Sequence, residues 1–148
     1  MKELYYPGEK DFDEITVLWE ASVRATHTFL SEEDITFFKP LIRNEYLKNV
    51  DLICTKDKNG NISGFMGISG SHLEMLFINP ASRGSGIGKA LLTHAIQNLG
   101  VQFVDVNEQN EQAVGFYFHM GFELISRDEL DGTGKPYPIL HLAIRRKI

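Results

Sequence analysis

Cysteine is almost absent from this sequence. A single thiol, Cys54, among 148 residues excludes an internal disulfide, so nothing points to an oxidising compartment. Cys54 lies in the apolar run from Val50 to Thr55, the setting of a core thiol rather than a nucleophile. Long apolar stretches are also missing. No segment suits a membrane span, and the first six residues, with Lys2 and Glu3, lack the apolar run of a signal peptide. The expectation is a cytoplasmic protein with no membrane partner. Positive charge is in deficit: 15 Lys and Arg against 20 Asp and Glu leave a net charge of -5. Nucleic-acid binding needs a clustered basic surface, and the basic cluster Arg145, Arg146 and Lys147 reads as a solvated strand end. No Cys/His cluster has metal-ligand spacing, so no metal is expected. Repeats, low-complexity tracts and linkers are absent, which makes residues 1–148 one domain.

Hydrophobic residues make up 43% of the chain and aromatics 11%, enough for a core and too much for disorder. Leu4 to Tyr6 read as a short strand. Phe12, Ile15, Leu18, Trp19 and Val23 have helical spacing, with Asp11 as the expected N-cap. A second helix starts at Ser31 to Asp34, and Pro40 is expected to kink or split it. Leu52 to Thr55 and Ile62 to Ser69 read as strands joined at Asn59-Gly60, where both residues accept positive φ. Strands follow at His72 to Ile78, Val101 to Val106, Phe122 to Ile125 and Ile139 to Ile144. Helices are expected over Gly86 to Leu99 and Asn110 to Met120. The order implies an α/β fold with a partly antiparallel, partly parallel sheet.

The strongest local signal is Arg83-Gly84-Ser85-Gly86-Ile87-Gly88-Lys89, between a strand and a helix. Glycines let backbone approach a ligand, and free N–H groups at a helix start cradle an anion. Arg83 and Lys89 add counter-charge for a diphosphate. A Walker A loop is excluded, because Arg83 stands where its first glycine belongs and Ala90 follows Lys89. A dinucleotide fingerprint fails because Gly88 comes one place early and half the domain precedes the turn. Taken alone, the turn suits a tight connection that binds nothing equally well.

A second motif stands downstream. Arg83-x-x-Gly86-x-Gly88 resembles the first signature of the GNAT superfamily of N-acetyltransferases, and Asn110-x-x-Ala113-x-x-x-Tyr117-x-x-x-Gly121-Phe122 resembles its second signature helix. The match covers Leu76 to Phe122 well. Ala25 to Leu30 and Gly134 to Pro138 are similar to segments of small bacterial members. The resemblance implies a mixed, mostly antiparallel sheet of about six to seven strands, about four flanking helices and a strand splay at the CoA site. It implies acetyl-CoA as co-substrate, with the pyrophosphate on the N–H groups of Gly84, Ser85, Gly86, Ile87, Gly88 and Lys89. The backbone of Leu76, Phe77 and Ile78 would pair with the pantetheine arm. Asn110 would bond the pantetheine or the helix start, and Tyr117 would protonate the departing thiolate. The expected activity is acetyl transfer to a primary amine by direct attack. The alternative is a non-catalytic acyl-CoA-sensing module of the same fold, which would not need an acid at Tyr117. A homodimer is compatible with the family.

An ammonium must lose a proton before it attacks. Asp105 and Glu74 are the leading base candidates, with His72 and His27 behind them. His72, Glu74 and Leu76 are expected to share one strand face. His27 and Phe29 are expected at the acceptor because the first helices and their loop wall that site in the family this chain resembles; Tyr137, between two prolines that stiffen the approach to the last strand, and His72, on the strand face of Glu74, are expected beside them.

Overall fold

The computed structural model describes residues 3–145, so Arg146 and Lys147 of the basic end, and Lys2, lie outside the described residues. Seven strands form one sheet in the order β1-β2-β3-β4-β5-β7-β6. They are β1 (Leu4–Tyr5), β2 (Asp51–Lys56), β3 (Ile62–Ser69), β4 (His72–Ile78), β5 (Phe103–Asn107), β6 (Phe122–Asp128) and β7 (Ile139–Ile144). Neighbours are antiparallel except β4 and β5, which are parallel. Helices α1 (Phe12–Thr26) and α2 (Glu32–Leu41) cover one face, and α3 (Ile87–Asn98) and α4 (Glu111–His119) the other. Two apolar cores result. Ile15, Leu18, Trp19 and Ile35 pack with Cys54, Phe65 and Met75, while Leu91, Leu92, Ala95 and Tyr117 pack with Met66, Leu73, Val104 and Leu142. No helix among the described residues is long and apolar enough to cross a membrane.

Local chemistry explains several boundaries. Ser31 Oγ accepts from Asp34 N (3.1 Å), and Asp34 Oδ2 accepts from Ser31 N (3.3 Å), a reciprocal cap for α2. Pro40 lies inside the last turn of α2, and the chain passes into a π-type turn over Ile42–Tyr46. A helical proline costs about 3 kcal/mol. Burial of Ile42 and Leu47, at roughly 1.5–3 kcal/mol each, offsets it.

Three expectations are corrected. Asp11 stands at the N-cap position of α1, but its Oδ2 accepts from Gly8 N (3.0 Å) and the Tyr5 hydroxyl (2.8 Å), so it ties the preceding turn instead. In the β2–β3 loop only Gly60 has positive φ (83°). Asp57 Oδ1 shapes the rest by accepting from Asn59 N (2.8 Å) and Asn61 N (3.0 Å). Finally, β4 is not a regular strand. Gly67 pairs with Met75 and Ile68 with Leu73, so Glu74 is an extra, unpaired residue. This bulge shifts the alternation: Leu73 joins the α3–α4 core and Met75 the α1–α2 core. The common face expected for His72, Glu74 and Leu76 is therefore broken.

Candidate active site

The bulge leads to a splay. β4 pairs with β5 only at His72↔Phe103 and Leu73↔Val104, and beyond Leu73 the two strands part. Among the described residues, the β5-facing backbone of Leu76, Phe77 and Ile78 has no strand partner there. A cleft of about 430 Å³ opens at the gap. One wall is Leu76, Phe77 and Ile78. A second is the turn, through Arg83, Gly84, Gly86, Ile87, Gly88 and Lys89. A third is α4, through Asn110, Ala113, Phe116 and Tyr117. Ser85 does not line it; its hydroxyl donates to the Ser82 carbonyl. A larger hollow of about 730 Å³, lined by residues such as Tyr6, Asp51 and Leu99, holds neither the turn nor Tyr117. Size does not identify the site; convergent polar groups do.

The turn leaves a row of backbone N–H groups free at a helix start. Gly86 is left-handed (φ 82°) immediately before α3, and a Cβ added there would meet nothing within 4 Å. The first main-chain bond into α3 runs from Ala90 N to Gly86 O (3.0 Å). Among the described residues, no N–H from Gly84 to Lys89 donates to a protein acceptor, which leaves them aimed outward at the positive end of the helix. Arg83 is held across the cleft mouth by Gln112 Oε1 (2.6 Å).

Asn110 caps α4, its Oδ1 accepting from Ala113 N (3.3 Å); of its two expected partners, this is the helix start. Seven residues on, Tyr117 packs edge-on between Phe116 and Phe122. Among the described residues, its hydroxyl has no hydrogen-bond partner. Among the described residues, no enclosed side-chain N or O is left unpaired, so the hydroxyl reaches open space, and the cleft is the space Tyr117 lines. Burial pushes its pKa above the ordinary value of 10.0, so the phenol keeps its proton at neutral pH.

A smaller cavity of about 160 Å³ adjoins the cleft. His27 and Phe77 line both. Trp19, Val23, Leu30, Phe38 and Ile42 give it apolar walls, and Asn107, Asp131 and Tyr137 add polar groups. His27 ends α1 as its C-cap. Phe29 stands between His27 and Tyr137, with ring centroids 5.4 and 5.5 Å away. The Tyr137 hydroxyl donates to Asp34, whose carboxylate also pairs with Lys135 Nζ (3.1 Å). The hydroxyl and Lys135 hold the Asp34 carboxyl down at about 2.

The remaining candidates lie apart from both cavities. His72 stacks on Phe103 (5.0 Å) at the far end of β4. Glu74 is exposed at the bulge. Asp105 is exposed and faces its strand partner: His141 Nδ1 is 2.6 Å from Asp105, and His141 Nε2 is 2.6 Å from Asp128. The two carboxylates, Asp128 first, raise the His141 pKa. Cys54 is fully buried, and desolvation pushes its thiol up to about 12.

Thr26, Asp34, Asn107 and Asp131 escaped the sequence reading. Asn107 and Asp131 had no local signal, since strand splay and loop path decide where they sit. Asp34 was legible only as a helix-cap residue.

A glycine turn at a helix start, opposite a splayed parallel strand pair and a buried tyrosine, defines an acyl-CoA transferase site. Residues 27–134 match the acetyltransferase (GNAT) domain, and the chain belongs to that family. It is an acetyl-CoA-dependent N-acetyltransferase. The chain is similar to the peptidyl-lysine N-acetyltransferase YjaB of Escherichia coli, 44% identical over 131 residues, which is 88% of each chain. The solution structure of apo YjaB superposes with a TM-score of 0.89 at 39% identity, covering 99% of both chains. The PaiA N-acetyltransferase of Thermoplasma acidophilum, solved with coenzyme A, shares the fold at a TM-score of 0.74 and 19% identity, covering 98% of this chain and 99% of its own.

Proposed function

We propose that this chain acetylates lysine side chains of proteins or peptides, with acetyl-CoA in the larger cleft and the lysine in the smaller cavity. The observation that carries this is the junction: the two cavities share His27 and Phe77. An alkyl stem suits the apolar walls, and Asp131 offers a carboxylate to an ammonium. The name of the Escherichia coli relative, peptidyl-lysine N-acetyltransferase, supports the same acceptor.

The pyrophosphate would lie on the N–H groups from Gly84 to Lys89, with Arg83 and Lys89 as counter-charges. The backbone of Leu76, Phe77 and Ile78 would pair with the pantetheine arm. Tyr117 would give its proton to the departing sulfur. The amine would attack directly, because the protonated, enclosed Cys54 thiol cannot carry the acetyl group. Asp105 and Glu74 line neither cavity, so either would act as base only through water. His72 would touch the acceptor only along its outer path. Residues 1–148 would work as one domain without a metal. A lone thiol and the need for acetyl-CoA both fit the cytoplasm.

The test uses an N-terminally blocked peptide with one lysine, and the same peptide with a free N-terminus and no lysine. Thiol release and fragment masses report the rate and the acetylated position. Acetylation of the lysine peptide is expected. Turnover confined to the free N-terminus would overturn the lysine assignment.

A further inference from the structure

Thr26 has one hydroxyl hydrogen and two close polar neighbours. Its Oγ1 lies 2.8 Å from the Ser22 carbonyl oxygen and 2.8 Å from His27 Nδ1. A carbonyl oxygen only accepts, so the hydroxyl hydrogen goes to Ser22. Toward His27 the hydroxyl then has only lone pairs, and Nδ1 must supply the hydrogen. In a neutral imidazole the other nitrogen is left as the acceptor. Burial keeps this ring neutral, lowering its pKa to about 4.

Among the described residues, Nε2 of His27 has no hydrogen-bond partner. Among the described residues no enclosed side-chain nitrogen is unpaired, so Nε2 reaches open space. The residue is only 8% exposed, and the space it borders is the two cavities. We infer that Thr26 fixes the His27 tautomer so that bare Nε2 accepts an N–H of the attacking amine where the two cavities meet. His27 is then a catalytic residue and Thr26 a positioning residue.

The step balances. The neutral amine nitrogen bonds to the thioester carbonyl carbon, which makes its N–H far more acidic. That proton moves to His27 Nε2. The C–S bond breaks, and the sulfur takes the Tyr117 proton. Solvent then removes the proton from His27 and restores one to Tyr117, giving amide and thiol. A ring that already carried a hydrogen on Nε2 would face the amine with a donor and could do neither job.

The role of His27 rests on the acceptor site proposed above, but its tautomer does not. Imidazole ¹⁵N–¹H spectra of the acceptor-free protein, with the His27 signal assigned by its loss in His27→Phe, should show hydrogen on Nδ1. Hydrogen on Nε2 would overturn the inference. Thr26→Val should move the hydrogen toward Nε2 and lower kcat about tenfold, while Thr26→Ser restores both. His27→Phe keeps an aromatic ring between Phe29 and Phe77 and should lower kcat about 100-fold with acetyl-CoA affinity unchanged. Wild-type kcat in Thr26→Val and His27→Phe would also overturn it. If the wild type ignores lysine peptides, the acceptor assignment fails, and the spectrum still decides the tautomer.

Discussion

Burial raises the pKa of Tyr117 and lowers that of His27, because desolvation disfavours the charged form of each. The phenol keeps its hydrogen and the imidazole keeps a lone pair, so one can give a proton where the other can receive one. Tyr117→Phe removes only the hydroxyl and leaves the packing on Phe116 and Phe122. It should lower kcat about 100-fold while acetyl-CoA affinity, measured by calorimetry, stays at the wild-type value. Equal losses in both would show that the hydroxyl serves acetyl-CoA binding rather than proton transfer. Tyr117 was legible in the sequence because its motif is local, at fixed spacing from Asn110 and Gly121. The lone pair of His27 was not, since it depends on how one turn of α1 shares a single hydroxyl hydrogen.

The turn before α3 and the loop between β6 and β7 are elements of opposite kinds. The turn is specified by its own glycines. Any side chain at Gly86 is strained by its left-handed backbone (φ 82°), and a Cβ at Gly88 would sit 3.7 Å from the Phe116 ring. Gly86→Glu and Gly88→Glu add a carboxylate to the proposed pyrophosphate site, so calorimetry should find at least tenfold weaker acetyl-CoA binding in both folded variants. The β6–β7 loop is instead specified at a distance. Tyr137 and Lys135 reach Asp34 across 103 and 101 positions of sequence, and Lys135 also lies over Phe37 (4.7 Å). Tyr137→Phe keeps the ring against Phe29 but removes one of the loop's two ties to Asp34. Its acceptor KM should rise about three- to tenfold, with acetyl-CoA KM unchanged. The glycine turn could be read from seven consecutive residues. The tie of the β6–β7 loop could not, because a carboxylate that caps α2 and a tyrosine before β7 meet only in three dimensions.

At the scale of the whole molecule, the proposed active site lies where two cores fail to close over a parted strand pair. Keeping His27 neutral in that gap has a consequence for stability. Its pKa falls from 6.5 to about 4 on folding, so the unfolded chain binds more protons between those values, and stability rises with pH across them. Lowering the pH from 6.5 to 4 should therefore lower stability by about 3 kcal/mol through this group. Thermal unfolding of His27→Phe should show a flatter pH dependence in that window; an unchanged slope would assign the effect to other groups. Most of the architecture was already present in the chain itself. Periodicity and turn chemistry set the helices and strands, and two local signatures set the glycine turn and α4, since each depends on neighbours within a few positions. Tertiary structure decided the rest. The bulge at Glu74, the parting of β4 from β5 after Leu73, the removal of Asp105 to a pair with His141, and the junction at His27 all depend on contacts between distant segments. No local spacing encodes them, because strand register and cavity shape are settled only when both faces of the sheet are packed.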